Sequence, residues 1–278
     1  MENVLCLNLC ELLSYFVNEE ISREEIQRLI TDSIPGKSFT RIYFGSSFCS
    51  QYFLQLEMDE VKLLMEVCRE LHLKTTMVLP VFSEKDLQAG KQKITLFQSY
   101  FGECIDEVTV NDYGMLEYVS TNYNIKINLG RLFIKDYRGP RYEEYSNQKR
   151  MPNIFNSFIQ QLLTKYEVHG MECDGTHKVM DLTAVFPNIE LGIHSPFCYL
   201  TKGHICGYAS LSKGRYQKFR PNSACKRECQ QHLIQYEVGK SKWIRFGRTI
   251  YFPSETEEVL ANSRVRIIFF PLEKVVYQ

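Results

Sequence analysis

Four cysteines in one polar segment are the residues whose type and spacing point most directly to chemistry. Cys198, Cys206, Cys225 and Cys229 are separated by seven, eighteen and three residues. Thiolates are soft ligands that suit zinc and iron–sulfur clusters. The first gap is longer than the about two to four residues that separate paired cysteines in a zinc ribbon. The spacing therefore favours an iron–sulfur cluster, with structural loop cysteines as the alternative.

The surroundings of these cysteines are compatible with a cluster. Nearby cations lower the pKa of thiols and offset the negative charge of a thiolate-ligated centre. The basic residues of the segment are Lys202, Lys213, Arg215, Lys218, Arg220, Lys226 and Arg227. Cys49, in the sequence GSSFCS, is a fifth candidate because it follows a predicted strand at 41–45. The alternative for Cys49 is a lone cysteine in a loop.

Short β-rich runs alternate with helical patterns along most of the chain. The runs lie at 3–8, 41–45, 74–79, 107–111, 124–130, 168–173 and 189–194. The helical pattern at 22–31 starts with a capping box of Ser22 and Glu25, and 58–71 is strongly amphipathic. Parallel strands need such crossovers, which fits a barrel or a doubly wound sheet. No glycine-rich turn follows the first run, so we favour the barrel.

The last part of the chain has a different pattern. Residues 195–230 are polar and rich in cysteine, and strands are predicted at 243–252 and 265–270 without a clear helix between them. We therefore predict an α/β protein in two parts. Residues 1–194 form a (β/α) barrel of about seven parallel strands, short of a complete barrel. Residues 195–278 form the cysteine-rich cluster-binding segment and a β-rich C-terminal extension packed on the barrel.

Several polar residues stand at the predicted strand ends, where barrel enzymes assemble their sites. Asn111 and Asp112 suit a hydroxyl or amide, with an N-cap as the alternative role of Asp112. Arg131 suits a carboxylate or phosphate, Glu172 suits acid–base chemistry and His194 suits proton donation. A solvated or structural role is the alternative for each. Further candidates are Arg138, Arg141 and Asp174.

Composition excludes some classes of function. The 278 residues carry 33 basic and 33 acidic side chains, which argues against a general electrostatic grip on nucleic acid or membrane. The mean hydropathy of −0.26 is ordinary for a soluble globular protein, and no apolar run predicts a membrane span. No export signal precedes the first strand, so we expect a reducing, cytoplasmic location. The ten cysteines are then not read as disulfides.

Longer segments carry a resemblance to a known family. They are IYFGSSFCS, VTVNDYGMLEYV, KINLGRLFIKDYRGPR, IELGIHSPFCYLTKGHIC with SACKREC, and IRFGRTIYFPS. Together, in this order, they resemble the collagenase-like peptidase family. Several members of that family are oxygen-independent hydroxylases that carry an iron–sulfur cluster.

The resemblance implies a ligand set. The chain looks most like the small members, such as the smaller partner in anaerobic ubiquinone hydroxylation. The positions that match their cluster ligands are Cys49, Cys206, Cys225 and Cys229. Larger members have a further cysteine where Cys198 stands, so five cysteines compete for four places, and the fourth place is contested between Cys49 and Cys198.

The resemblance also implies an enzyme or enzyme subunit with a [4Fe-4S] cluster. Such a protein would hydroxylate an aromatic ring or a nucleobase without O2, alone or in a heterodimer with a larger family member. Its substrate would be a small aromatic molecule or an RNA base. The alternatives are a zinc-stabilised, non-catalytic binding or scaffold module, and a metal-free peptidase or chaperone-like partner. The sequence contains neither an HExxH zinc motif nor a GxSxG nucleophile elbow.

Overall fold

Eight parallel strands close into a barrel. In the computed structural model, the described residues are 4–12, 22–34, 37–134, 157–175, 188–230, 232–239, 241–253 and 265–272. The first seven barrel strands are β1 (Val4–Asn8), β2 (Arg41–Gly45), β3 (Lys74–Leu79), β4 (Glu107–Val110), β5 (Lys126–Leu129), β6 (Gly170–Asp174) and β7 (Glu190–Ser195). Each coincides with one of the seven predicted β-rich runs. The predicted (β/α) barrel is confirmed.

The eighth barrel strand comes from the segment that the sequence assigned to the extension. This strand, β12 (Val265–Phe269), pairs with β1 on one side and with β7 on the other. The barrel is therefore complete, and the expectation of about seven strands was wrong. It is also not confined to residues 1–194, because 195–264 interrupts it between β7 and β12. A five-residue run such as VRIIF does not reveal a parallel partner at the far end of the chain.

Helices cross over between the barrel strands. They are α1 (Arg23–Asp32), α2 (Ser50–Leu54), α3 (Met58–Glu70), α4 (Glu84–Phe101), α5 (Tyr113–Asn122) and α6 (Ser157–Lys165). The predicted capping box of α1 is present, since Ser22 Oγ accepts the Glu25 amide at 3.2 Å and the Glu25 carboxylate accepts the Ser22 amide at 3.3 Å. No helix within the described ranges is long and apolar enough to cross a membrane.

A charged network closes the end of the barrel where the strands begin. Glu107 lies 3.3 Å from Arg41 and is also paired with Arg266. Thr76 donates a further hydrogen bond to the Glu107 carboxylate at 2.8 Å. Because these buried charges are paired and hydrogen-bonded with one another, we assign them a structural role at this end of the barrel. The opposite end, where the strands finish, is left for a functional site.

The β-rich extension is a four-stranded antiparallel sheet. Its strands are β8 (Phe197–Lys202), β9 (Ile234–Val238), β10 (Ser241–Phe246) and β11 (Thr249–Pro253), in the order β8-β11-β10-β9. Phe48, from the loop after β2, packs in one apolar cluster with Tyr199, Tyr251 and Phe270. The sheet therefore sits on the carboxyl end of the barrel. The cysteine-rich segment between β8 and β9 is placed next to the same end.

Candidate metal centre at the barrel mouth

Four of the ten cysteines line one cavity between the barrel and the extension. Cys49, Cys206, Cys225 and Cys229 contribute to the wall of this small cavity. We call it the cysteine cavity. The rest of its wall is largely aromatic and apolar, with Phe48, Tyr52, Phe246 and Tyr251 among the contributors. A largely apolar wall on which a few ligating or charged groups converge is the usual composition of a site for a small ligand or cofactor.

The four cysteines come from two separate parts of the chain. Cys49 is the N-cap residue of α2, in the loop that follows β2. Cys206, Cys225 and Cys229 all belong to the segment between β8 and β9, which carries three short 3-10 helices. The barrel thus supplies one thiol and the extension supplies three.

Gln55 and Arg227 hold the cysteine-rich segment against the barrel helices. Gln55 Nε2 donates to the Cys225 carbonyl at 3.2 Å and lies 3.7 Å from Cys225 Sγ. Arg227 donates to the Gln55 carbonyl, forms an ion pair with Glu60 at 3.2 Å and stacks its guanidinium 5.3 Å from the Tyr52 ring centre. Such outer contacts orient ligands that would otherwise move with an exposed loop.

Cys198 lies apart from the cysteine cavity. It is fully buried on β8, and its thiol donates to the Gly175 carbonyl at 3.1 Å. It is not among the residues that line the cavity. The cavity therefore groups four of the five candidate cysteines, and the fifth has a hydrogen-bonded place elsewhere.

The cavity disfavours thiolates in the absence of a cation. Burial raises the pKa of Cys49 to about 12, although the nearby Arg248 guanidinium partly opposes the shift. Burial also raises the pKa of Cys229 well above its usual range, and the neighbouring Cys49, Cys206 and Cys225 add to that effect. A metal centre supplies the missing positive charge and deprotonates the thiols that bind it. The donor set is thus suited to a cationic centre rather than to free reactive thiolates.

The four sulfur atoms do not form a compact site for a single ion. Tetrahedral zinc with Zn–S bonds of about 2.3 Å holds its sulfurs about 3.8 Å apart. No three of the four cysteines have their sulfurs within 4.8 Å of one another. In the described ranges, that criterion is met by Glu107, His169 and Glu190. Those residues lie at the other end of the barrel, where Arg266 is already paired with both carboxylates.

Arg131 lies just behind the wall of the cysteine cavity. Its guanidinium pairs with Asp174 at 2.8 Å and stacks 4.8 Å from the ring centre of Phe48, which itself lines the cavity. The Tyr199 ring packs on it as well, at 5.7 Å. The arginine is only 2 % exposed. It is therefore a buried, paired cation, unlike the solvated loop arginine that was the alternative.

Glu172 and His194 form a second buried pair in the barrel. His194 Nε2 and Glu172 Oε2 are 3.0 Å apart, and Thr109 Oγ1 donates to Glu172 Oε1 at 2.6 Å. Burial raises the pKa of Glu172 to about 7, although Thr109 and two arginines oppose the shift. A carboxyl group that titrates near neutrality can take up or release a proton at physiological pH. Glu172 and His194, which the sequence indicated as separate candidates, thus form one acid–base pair.

Asn111 and Asp112 have structural partners. Asn111 Nδ2 donates to the Leu79 carbonyl at 3.0 Å. Asp112 caps α5 by accepting the Met115 amide at 2.7 Å, so its capping alternative is confirmed. Of the other candidates, Asp174 is the partner of Arg131. Arg138 and Arg141 lie outside the described residues.

Sequence reasoning missed two charged residues of the cysteine cavity. Glu11 lies just beyond the end of β1, and its side chain lines the cavity. Arg248 also lines it, is buried, and donates to Asn222 at 2.8 Å. The signal for Glu11 was its distance from the end of the first strand, which places it on the barrel rim. Arg248 follows Gly247, whose φ of 55° marks a tight hairpin turn.

Comparison with known proteins identifies resemblances in architecture. No protein-family model matches the sequence, and no curated protein matches it significantly. A solved structure of the U32 peptidase Mk0906 matches with a TM-score of 0.42 and 13 % identity, covering 70 % of this chain and 68 % of that one.

Two further structures cover nearly the whole chain. The spore cortex-lytic enzyme SleL of Bacillus megaterium QM B1551 has a TM-score of 0.44 and 9 % identity, over 97 % of this chain and 70 % of that one. An uncharacterized B. cereus protein has a TM-score of 0.32 and 10 % identity, over 97 % and 99 %. Similarities at this level assign neither a family nor an activity to the chain.

Proposed function

We propose that the chain binds a [4Fe-4S] cluster through Cys49, Cys206, Cys225 and Cys229. The observation that carries this proposal is the convergence of these four thiols, from two distant parts of the chain, on one cavity at the barrel mouth. Iron–sulfur clusters of this type take four cysteine ligands. Cys198 is not needed for the set.

The reaction we assign to this site is the hydroxylation of an aromatic ring or nucleobase without O2. With water as the oxygen source, R–H + H2O gives R–OH, two electrons and two protons. When bound, the cluster supplies one-electron redox chemistry toward an external electron acceptor. The Glu172–His194 pair accepts a proton, because Glu172 titrates near neutrality inside the barrel. Arg131 stacks on Phe48 and so holds this part of the cavity wall in place.

Metal analysis of protein purified without oxygen tests the proposal. We expect about four iron and four sulfide per chain, and a broad visible absorption band. Colourless protein that holds zinc, which has no such band, would leave the zinc-stabilised binding or scaffold module as the function. A metal-free peptidase predicts instead that peptide cleavage survives Cys225→Ser.

A single-stranded RNA base is the substrate form that the surface favours. In the segment that carries Cys206, Cys225 and Cys229, Tyr216 and Phe219 are 85 % and 61 % exposed. Phe219 adopts a φ of 55°, which is unusual for a bulky side chain. Exposed cations stand beside them, namely Arg215, Lys218 and Arg220. Exposed aromatic rings with interleaved cations bind single strands by stacking on bases and contacting phosphates.

RNA binding at several salt concentrations tests this substrate form. Tyr216→Ala and Phe219→Ala should each weaken binding of a short single-stranded RNA about tenfold, with a clear salt dependence. Tyr100→Ala is a matched control, because that tyrosine is 71 % exposed on α4. Binding that is insensitive to salt and to both loop variants would favour a small aromatic substrate. Co-purification of this chain with a larger family member would test whether the two form a heterodimer.

A further inference from the structure

Glu11 adopts a backbone conformation that glutamate rarely takes. Its φ is 62°, in the left-handed region. Its amide donates to the Gly45 carbonyl at 3.2 Å, at the end of β2. The residue is only 8 % exposed, and it lines the cysteine cavity. Residues other than glycine hold such a conformation where the surrounding structure fixes it, and these positions concentrate at functional sites.

The Glu11 carboxylate organises the loop that carries Cys49. Its Oε1 atom accepts the Ser46 hydroxyl at 2.6 Å and the Phe48 amide at 2.8 Å. Ser46 Oγ in turn accepts the Cys49 amide at 2.8 Å. Two consecutive hydrogen bonds, through Ser46, therefore connect Glu11 at the end of β1 with the backbone of Cys49, and a third ties Glu11 to the neighbouring Phe48 amide. None of them involves the three cysteines of the extension.

We propose that Glu11 is the positioning residue for Cys49, and that it holds the one barrel-derived ligand of the cysteine cavity in place through a single acceptor oxygen. This inference rests on the proposed function in so far as Cys49 is a cluster ligand. The positioning of Cys49 by Glu11 is itself a property of the metal-free protein. Groups that bind a metal well have their orientation fixed by such outer hydrogen bonds.

The geometry makes different demands on different substitutions. Both bonds end on Oε1, so the amide oxygen of glutamine, at the same distance from the backbone, can replace it. Aspartate keeps the charge but is one methylene shorter and cannot reach both donors. Glu11→Gln should therefore behave nearly like the wild type, whereas Glu11→Asp and Glu11→Ala should not. A role based on charge alone gives the opposite order for Gln and Asp.

Thiol labelling of metal-free, reduced protein measures the position of Cys49. Each cysteine is quantified by peptide mass mapping after brief exposure to a maleimide. We expect labelling of Cys49 to become about tenfold faster in Glu11→Asp and Glu11→Ala, as for loss of one or two ordinary hydrogen bonds that hold the loop. Glu11→Gln should stay within about threefold of the wild type, and Cys229 should not change in any variant.

Controls and a second measurement keep the result decisive. Ser46→Ala removes the hydroxyl that bonds both Glu11 and the Cys49 amide, and it should reproduce Glu11→Asp even if Glu11→Ala does not fold. Ser33→Ala, a buried serine in the C-cap of α1, should leave Cys49 labelling unchanged. After reconstitution, Glu11→Asp should lose iron to a chelator faster than Glu11→Gln, and its visible or EPR spectrum should change.

The two proposals fail in different ways. Unchanged Cys49 labelling in Glu11→Asp, equal acceleration at all four cysteines, or a glutamine variant as labile as aspartate would overturn the role of Glu11. Wild-type protein that takes up no iron would refute the proposed function. In that case, the labelling still decides whether Glu11 positions Cys49.

Discussion

A serine substitution at Cys49 should abolish iron binding, whereas the same substitution at Cys198 should leave it unchanged. Cys49 lines the cysteine cavity, whereas Cys198 is buried on β8 with its thiol donating to Gly175. A serine hydroxyl is a poor substitute for a thiolate, because soft sulfur ligands are what iron–sulfur chemistry selects. At position 198, the same hydroxyl can still donate to the Gly175 carbonyl. One exchange of sulfur for oxygen thus removes a ligand, and the other keeps a hydrogen bond.

The sizes of the two effects follow from these contacts. Cys49→Ser should reduce bound iron from about four per chain to less than one, and the visible band should fall in proportion. Cys198→Ser retains its bond and loses only part of its apolar contact, which costs about 1 kcal/mol of unfolding free energy. For a protein of this size, that lowers Tm by roughly 2–4 °C. Its iron content should match the wild type.

Anaerobic reconstitution of both variants side by side makes the comparison. Iron and sulfide are assayed chemically, and Tm is measured on iron-free protein so that ligand loss and folding are separated. Cys225→Ser serves as the positive control because Cys225 lines the same cavity. Iron retained in Cys49→Ser and lost in Cys198→Ser would refute the reasoning from the cavity.

Two further predictions concern the buried ionisable pairs. Burial raises the pKa of Glu172 to about 7 from 4.5, so its contribution to stability is full below pH 4.5 and is lost as the pH rises through 7. Glu172→Gln should remove about 1–3 kcal/mol of this pH dependence, measured by urea unfolding as the difference in unfolding free energy between pH 5 and pH 8. An equal difference in the wild type and the variant would contradict the raised pKa of Glu172. Arg131→Met leaves Asp174 buried without its cation and should cost about 3–5 kcal/mol of unfolding free energy. Arg131→Met with Asp174→Leu should recover most of that loss, and a single variant that loses less than about 1 kcal/mol would show the pair to be dispensable.

The barrel strands and their helices were predictable because their signals are local. Alternating apolar runs and the Ser22–Glu25 capping box depend on residues close in sequence, and both are found in the structure. The closure of the barrel by β12 was not predictable from such signals. It depends on the pairing of Leu5 with Ile267, between opposite ends of the chain. Parallel pairing of this kind leaves no periodic trace in either strand.

The residues of the candidate site were likewise predictable only where the signal is local in sequence. Spacing placed Cys206, Cys225 and Cys229 in one segment, and they line one cavity. Spacing did not distinguish Cys198 from them, because the side-chain direction on β8 depends on how that strand pairs with β11. Glu11 has no motif around it. Its importance comes from a left-handed backbone and two hydrogen bonds to a loop more than thirty residues away, which only the fold brings together.

A cluster shared between the barrel and the extension should also stabilise the exposed segment that carries three of its ligands. In the metal-free protein, the contacts described for that segment on the barrel helices are those of Arg227 and Gln55. Residues 214–221 are exposed throughout, so this stretch should open before the barrel does. Because a ligand that binds the closed form about 100-fold above its Kd adds about 2.7 kcal/mol, trypsin cleavage there should slow about 100-fold on cluster binding. Cleavage that is equally fast with and without the cluster would mean that the three extension cysteines do not bind together with Cys49, because a centre anchored on both sides of the cavity cannot leave the segment free to open.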